Sequence, residues 1–421
     1  MKKNVRCIFV WVVLVIVCVG LTPIKSQAGS TTEPIGEILL AEINDLTGPT
    51  SDSCKPHHDF LTSLTRYWND QGGMPYKDPK TGKEERVKFR WIWGDNKAQA
   101  GPCPTIYKRL MGQKPLFMML GSSAAVSTVG DWCNRDKIPT FFGAPPYEPR
   151  MEQLEYAFCP QPPHYSTPTV AAKWVMQEWK KMGKKGSPKW AWYTLDIPFG
   201  RTVLRPELQA YMKDIGIDIV GSWFIPFRPV DCTPDLLSMK EKNVDYTYGS
   251  LVVSQEYVIM KDITTLNLKD KLQVISCPYG ITERLLELAG EGANGIIGVL
   301  HSGLPSELEK PGVAFTKQLA EQYNLSFEMD SLTGVAIGKM MLGAVKKALE
   351  VNGYPITRED LKNAFESLRD FSTGGCYPPI TFTPKEHRGS LKSRIITVRD
   401  GKIIALTDYI DHADLSPFIE K

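Results

Sequence analysis

PLFMMLGSSAAVSTVGDWC, Pro115 to Cys133, is the stretch whose reading decides the fold. PLFMMLG is an unbroken apolar run, the pattern of a strand buried on both faces of a parallel sheet. The run stops at Gly121. Ser122 or Ser123 then offers a hydroxyl to cap a helix, and alanine, valine and tryptophan follow at helical positions. A strand that feeds a helix through a short polar loop is the repeating unit of an α/β sheet. The carboxyl end of such a strand is where ligands bind.

The same alternation extends in both directions. Upstream, IGEILLAEI (35–43) predicts a first strand, and a helix follows over about 57–70, stopped by Gly72 and Gly73. RVKFRWIWGD (86–95) predicts a second strand, with Pro104 near the start of a short helix up to Gly112. IPTFFG (138–143) is the strand after the opening stretch. PQPP, residues 160–163, interrupts the pattern and reads as a hinge. Beyond it come strands near 189–196, 218–225, 244–250, 271–277 and 295–300, with helices between them. Helices near 311–323, 332–351 and 358–368 precede three short strands, PITFTP, SRIITVRD and KIIALTDYI, the last two joined by an RDGK hairpin turn. So many strands divide into two sheets at the hinge. The fold class is α/β, with two doubly wound parallel-sheet lobes.

Composition restricts function. The 421 residues are 42% hydrophobic and 23% charged, ordinary for a soluble globular protein of two domains. The formal charge of +3 comes with no basic run, which argues against nucleic acid as a partner. The N-terminus reads as an export signal: Lys2, Lys3 and Arg6, an apolar run from Cys7 to Leu21, then SQA before a cut after Ala28. Removing Lys2, Lys3, Arg6 and Lys25 leaves a mature charge of −1. Of nine cysteines, seven survive the cut. Export permits disulfides. Cys54 and Cys103, both in loops after neighbouring strands, are the expected pair.

Motifs of catalysis are not found. GEGANG (290–295) matches a dinucleotide-binding pattern in letters, but it follows a helix and opens a strand, the reverse of what phosphate binding needs. It reads as a helix end and a tight turn. No nucleophile elbow, Walker loop or zinc-protease motif is present. His57 and His58 are adjacent and make no metal set; they read as surface residues at a helix start. The expectation is a protein that is not an enzyme, with no catalytic residue, cofactor or metal.

Several segments together carry a resemblance. IGEILLAEINDLTGP (35–49), WNDQGG (68–73), WGDN (93–96), LGSSAAVST (120–128), YTLDIPFGRTV (193–203) and GGCYPPITFTPKEHRGS (374–390) resemble, in order and spacing, the periplasmic solute-binding proteins of the branched-chain amino acid (leucine/isoleucine/valine-binding) ABC transporters. The resemblance covers about residues 35–409. It implies a type I periplasmic binding fold, two lobes joined by a three-strand hinge that close on a ligand. The implied parts are a signal over 1–28, one lobe from 29–159 plus about 297–379, and another from 160–296 plus about 380–421. It also implies a periplasmic monomer whose partners are a small-molecule ligand and the permease subunits of an importer in the inner membrane.

The resemblance carries candidate ligand contacts onto this chain. Ser122, Ser123 and Ala124 match the loop that cradles a ligand carboxylate at a helix N-terminus. Gly143 and Ala144 match the turn after the next strand, though Pro145 and Pro146 stand where a threonine is usual. Phe199 stands where the family places a tyrosine. Ser250 lies at the end of the strand VDYTYGS. Tyr279 stands where the family places the acid that pairs with a ligand's ammonium. A buried ammonium without a counter-charge is costly. The expected ligand is therefore a carboxylate, aromatic or short aliphatic; a branched-chain amino acid or amide binder, and a ligand-sensing module of the same fold, are the alternatives.

Overall fold

A computed structural model describes residues 33–143 and 154–419. The expected signal over 1–28, and Ala144 with the prolines after it, lie outside the described residues. Two sheets form the frame. The first has six strands: β1 (Gly36–Asn44), β2 (Met74–Lys77), β3 (Glu84–Asp95), β4 (Phe117–Leu120), β5 (Thr140–Phe142) and β6 (Ala157–Phe158), in the order β2-β3-β1-β4-β5-β6. All neighbours are parallel except β2, a hairpin partner of β3. The second sheet contains β7 (Lys189–Leu195), β8 (Asp218–Ile225), β9 (Tyr246–Gly249), β10 (Gln273–Ser276), β11 (Ile297–Leu300), β12 (Lys392–Arg399) and β13 (Lys402–Ala405), ordered β13-β12-β11-β10-β9-β7-β8, with β14 (Ile410–Asp411) on β12. β7 to β11 are parallel; β12 returns antiparallel.

The opening stretch folds as read. Phe117–Leu120 is buried throughout, and its residues alternate between two cores. Phe117 and Met119 face one, with helices Ser51–Asp70 and Met329–Asn352; Met118 and Leu120 face the other, with helices Cys103–Met111 and Ser123–Arg135. Helices on both faces are why the strand carries no polar residue. The second sheet has its own core, in which Trp190, Trp192 and Tyr248 are fully buried. The chain passes between the sheets three times: after β6, after β11, and between helix Arg358–Glu366 and β12. β11, at the expected changeover near 297, pairs within the second sheet. Among the described residues no helix is long and apolar enough to cross a membrane.

Three local readings need correction. The first helix begins at Ser51, not near 57, because Pro56 sits inside it without stopping it. Pro56 is the sixth helical residue, past the first turn where proline is tolerated, and the helix continues through the lost N–H bond because Cys54, His57, His58 and Phe60 on both sides of it are buried in the core. This brings His57 and His58 into the interior: His57 Nε2 lies 3.1 Å from Asp330 Oδ1, and His58 Nδ1 lies 2.5 Å from Glu42 Oε2. Cys54 and Cys103 do not pair; both are separate buried thiols. Cys103 is engaged by Asn96 and Gln99, while Cys54 lies 3.7 Å from Thr50 Oγ1. Finally, PITFTP makes only isolated bridges, Phe371 with Ile380 and Thr383 with Glu386. At GEGANG, the helix ends at Gly290 in a left-handed conformation (φ 52°) that favours glycine.

Candidate functional site

Register places the site. Ile43 pairs with Leu120, Leu120 with Phe142, and Asn44 with Asp95. The strands of the first sheet therefore end level, and their loops emerge side by side. In the second sheet Leu195 pairs with Ile225 and Gly249 with Ser276. The carboxyl ends of both sheets border one cavity of about 460 Å³, within the range of small-molecule sites.

The first sheet supplies a polar wall. In the loop after β1, Asp45 Oδ2 accepts hydrogen bonds from Thr50 N (2.8 Å) and Thr50 Oγ1 (2.7 Å), which holds Pro49 and Thr50 at the cavity. After β3, Lys97 and Ala98 adopt left-handed backbone (φ 53° and 55°), turning residues 97–100 toward the cleft. After β4, Gly121 packs against the Asn44 side chain, and a methyl group there would overlap it. Ser122 is the N-cap of helix Ser123–Arg135. Its Oγ accepts from Ala125 N at 3.2 Å and from Asn96 Nδ2 at 2.8 Å. The same Asn96 Nδ2 lies 3.2 Å from the Gln99 carbonyl, which also accepts from Cys103 Sγ at 3.2 Å. A serine hydroxyl has two acceptor sites and one proton. With Asn96 Nδ2 turned to Ser122, both acceptor sites are engaged and the hydroxyl proton remains for a further acceptor.

The second sheet and the first crossover supply an aromatic wall. His164, Phe199 and Tyr279 line the cavity and meet edge to face, with centroids 5.1 Å apart for His164–Phe199, 5.4 Å for His164–Tyr279 and 6.0 Å for Phe199–Tyr279. Such geometry is the favoured one for aromatic groups. Burial lowers the His164 imidazole to about 4, so it is neutral near pH 7. Tyr279 does not aim its hydroxyl at the cavity. Tyr279 Oη donates to Gln161 Oε1 in the crossover at 2.6 Å, and both residues are buried.

Of the candidate contacts, Ser122, Ser123, Ala124, Gly143, Phe199 and Tyr279 line this one cavity. Ser250 does not; it is buried below, its N–H bonded to Thr194 Oγ1 at 3.2 Å. Sequence reasoning missed the first-helix face (Thr50, Ser53, His57), Lys97 and His164. The Pro-rich setting of His164 beside the hinge was the available signal. Cys54 also lines the cavity, and burial pushes its thiol up to about 12. Cys277 does not line it; its Sγ donates to Leu251 O at 3.0 Å.

The electrostatics are one-sided. Among the described lining residues Lys97 carries the single formal charge, and none is Asp or Glu. A helix N-terminus capped by Ser122 and a lysine at the rim both favour a negative group.

Comparison with solved structures finds the same architecture. A branched-chain amino acid ABC transporter protein from Thermus thermophilus with bound valine is 20% identical, with a TM-score of 0.78 covering 91% of this chain and 98% of that one. A fatty acid ABC transporter substrate-binding protein from Thermomonospora curvata is 17% identical (TM-score 0.74, covering 92% and 96%). A solute-binding protein of an ABC transporter from Rhodopseudomonas palustris BisB5, in complex with 3,4-dihydroxybenzoic acid, is 18% identical (TM-score 0.72, covering 90% and 98%). Comparison with curated proteins gave no match. Residues 37–402 match the family model described as "Periplasmic binding protein". Two sheets closing on one cavity, and a match across most of the sequence, have the same meaning: the chain belongs to the periplasmic binding protein family.

Proposed function

We propose that this protein is an exported binder of a small organic acid, which it holds between its lobes and delivers to an ABC importer. It acts by capture and closure, not by chemistry on the ligand. The observation that carries the reading is the division of the cavity: hydroxyl, helix N-terminus and lysine on one wall, and His164, Phe199 and Tyr279 on the other. A carboxylate fits the first wall and a flat or aliphatic body fits the second. An amino acid's ammonium finds no carboxylate among the described lining residues. The two solved relatives named for a fatty acid and a dihydroxybenzoic acid support an acid of this kind, and the valine complex supports the amino acid alternative. The lobes are taken to meet at the crossover around Gln161, with the chain exported to the periplasm after loss of its first 28 residues.

A thermal-shift screen of the purified protein tests it. Benzoate, hydroxybenzoates, short fatty acids, leucine and valine are each added in excess. A ligand at a hundredfold its Kd stabilises by about 2.7 kcal/mol. Acids should raise the melting temperature and leucine and valine should not; the reverse pattern overturns the reading of Tyr279.

A further inference from the structure

Beneath the aromatic wall lies a carboxyl group that the cavity does not use. Glu256, in helix Val253–Thr265, is fully buried. Neither of its carboxyl oxygens has a well-formed hydrogen bond to a protein group, and the Ser276 hydroxyl beside it lacks one as well. Gly280 covers the pair so closely that a methyl group there would overlap both Ser276 Oγ and Glu256 Cγ. Tyr279, next in the chain, lines the cavity. The titratable groups facing Glu256 are Tyr248 on β9 and Cys277 after β10; burial pushes the tyrosine well above its ordinary value and the thiol up to about 12. Both are neutral, and no cation is among the groups that act on this carboxyl.

We propose that Glu256 is a positioning residue for the cleft: uncharged, it packs under the Tyr279–Gly280 turn, and when ionised it draws water beneath Gly280 and displaces Tyr279. A buried carboxylate with no counter-charge and a single imperfectly placed hydroxyl beside it is far costlier than the acid. Gly280 is the backbone in direct contact with the carboxyl, so the Tyr279–Gly280 turn is the layer we take to yield. Burial raises this carboxyl to about 7, with Ser276 opposing. The change therefore falls in a physiological range, with the turn held below the midpoint and released above it.

The turn is measured without ligand, so the test does not depend on the acid-binding reading; ligand affinity depends on both. Amide hydrogen exchange of the 274–285 segment, corrected for intrinsic rate, is followed in the full chain at pH 6 and pH 8.5. Protection at Gly280 and Ile281 should be at least tenfold lower at pH 8.5, and Glu256→Gln should hold it at both values. Equal protection in the wild type at the two pH values overturns the proposal, as does the same loss in the glutamine variant. If Glu256→Gln does not fold, Ser276→Ala decides: losing the group that favours the charged form must move the midpoint upward, and an unmoved midpoint overturns it.

Discussion

Replacing Ser122 with alanine separates its two roles. As an N-cap, Ser122 accepts from Ala125 N, and it also accepts from the buried Asn96 amide. Losing the cap costs about 1 kcal/mol. Asn96 Nδ2 keeps the Gln99 carbonyl and Cys103 Sγ as acceptors, so losing its bond to Ser122 costs about 0.5–1.5 kcal/mol more. The variant should melt roughly 2–3 °C lower, at about 1.2 °C per kcal/mol for a chain of this size. The hydroxyl proton adds a separate effect. A hydrogen bond to a charged acceptor contributes about 1.5–3 kcal/mol, so affinity for a carboxylate should fall roughly 10- to 100-fold. A neutral acceptor loses about 0.5–1.5 kcal/mol, roughly two- to tenfold. Titration calorimetry with benzoate and benzamide, on wild type and Ser122→Ala, reads the ratio. The preference for benzoate should shrink by about tenfold. A variant that melts lower but binds benzoate as the wild type does would refute the assignment of that proton to the ligand.

Tyr279→Phe breaks the bond to Gln161 and leaves that buried amide unpaired; stability should fall by about 1–2 kcal/mol, with benzoate affinity in calorimetry changed less than threefold because the ring wall remains. Burial would lower the His58 imidazole, but the charge and hydrogen bond of Glu42 outweigh it and its pKa is raised. The pair's stabilisation is thus complete below about 6.5 and lost as pH rises through the higher folded value, so Glu42→Gln should lower the melting temperature at pH 6 and flatten its decline toward pH 8.5. Burial opposes ionisation of Glu307, yet Arg394 (2.8 and 2.9 Å) and Lys310 bring the carboxyl down to about 2. Its contribution is present above the ordinary carboxylate range and lost as pH falls through 2; Glu307→Gln should cost about 2–4 kcal/mol at pH 7 in urea unfolding and remove that part of the acid-induced decline.

Periodicity and apolar runs are local, and what they control was legible. Pro115–Cys133 announces a buried strand, a tight loop and a capped helix, and the structure has each in place. The resemblance carried by short segments put six candidate contacts on one cavity. What could not be read depends on distance in the chain or on backbone strain. Pro56 masked the true start of the first helix, because an interior proline reads as a stop and only burial of residues on both sides of it carries the helix through. Lys97 and Ala98 reach the cleft through left-handed backbone without the glycine that usually signals it. The partners of His57 and Glu307 lie 273 and 87 residues away. The direction of the Tyr279 hydroxyl is set by Gln161, 118 residues earlier. Residue type alone suggested that Tyr279 offers a ring or a hydroxyl; only the packed structure assigns the hydroxyl to the crossover and the ring to the cavity.

That assignment bears on how closure is coupled to ligand chemistry. The polar wall hangs from the first sheet and the aromatic wall from the second sheet and the crossover. A ligand that touches one wall gains nothing from closure, since it binds the open and closed forms alike and shifts no equilibrium. On the proposed reading an acid head gains at Ser122 and Lys97 and a flat body at Phe199 and Tyr279, so a molecule with both parts draws the walls together. An amino acid of the same length would bring an ammonium to a wall of rings. A ring face attracts a cation by about 1–2 kcal/mol, well short of what a desolvated ammonium loses. The proposed acid specificity therefore rests as much on the penalty against the ammonium as on attraction for the acid. A carboxylate brought to position 279 beside Gly280, as in Tyr279→Glu, would remove that penalty and should raise leucine affinity relative to benzoate in calorimetry. A Tyr279→Glu protein that folds and still excludes leucine would place the discrimination elsewhere in the cleft.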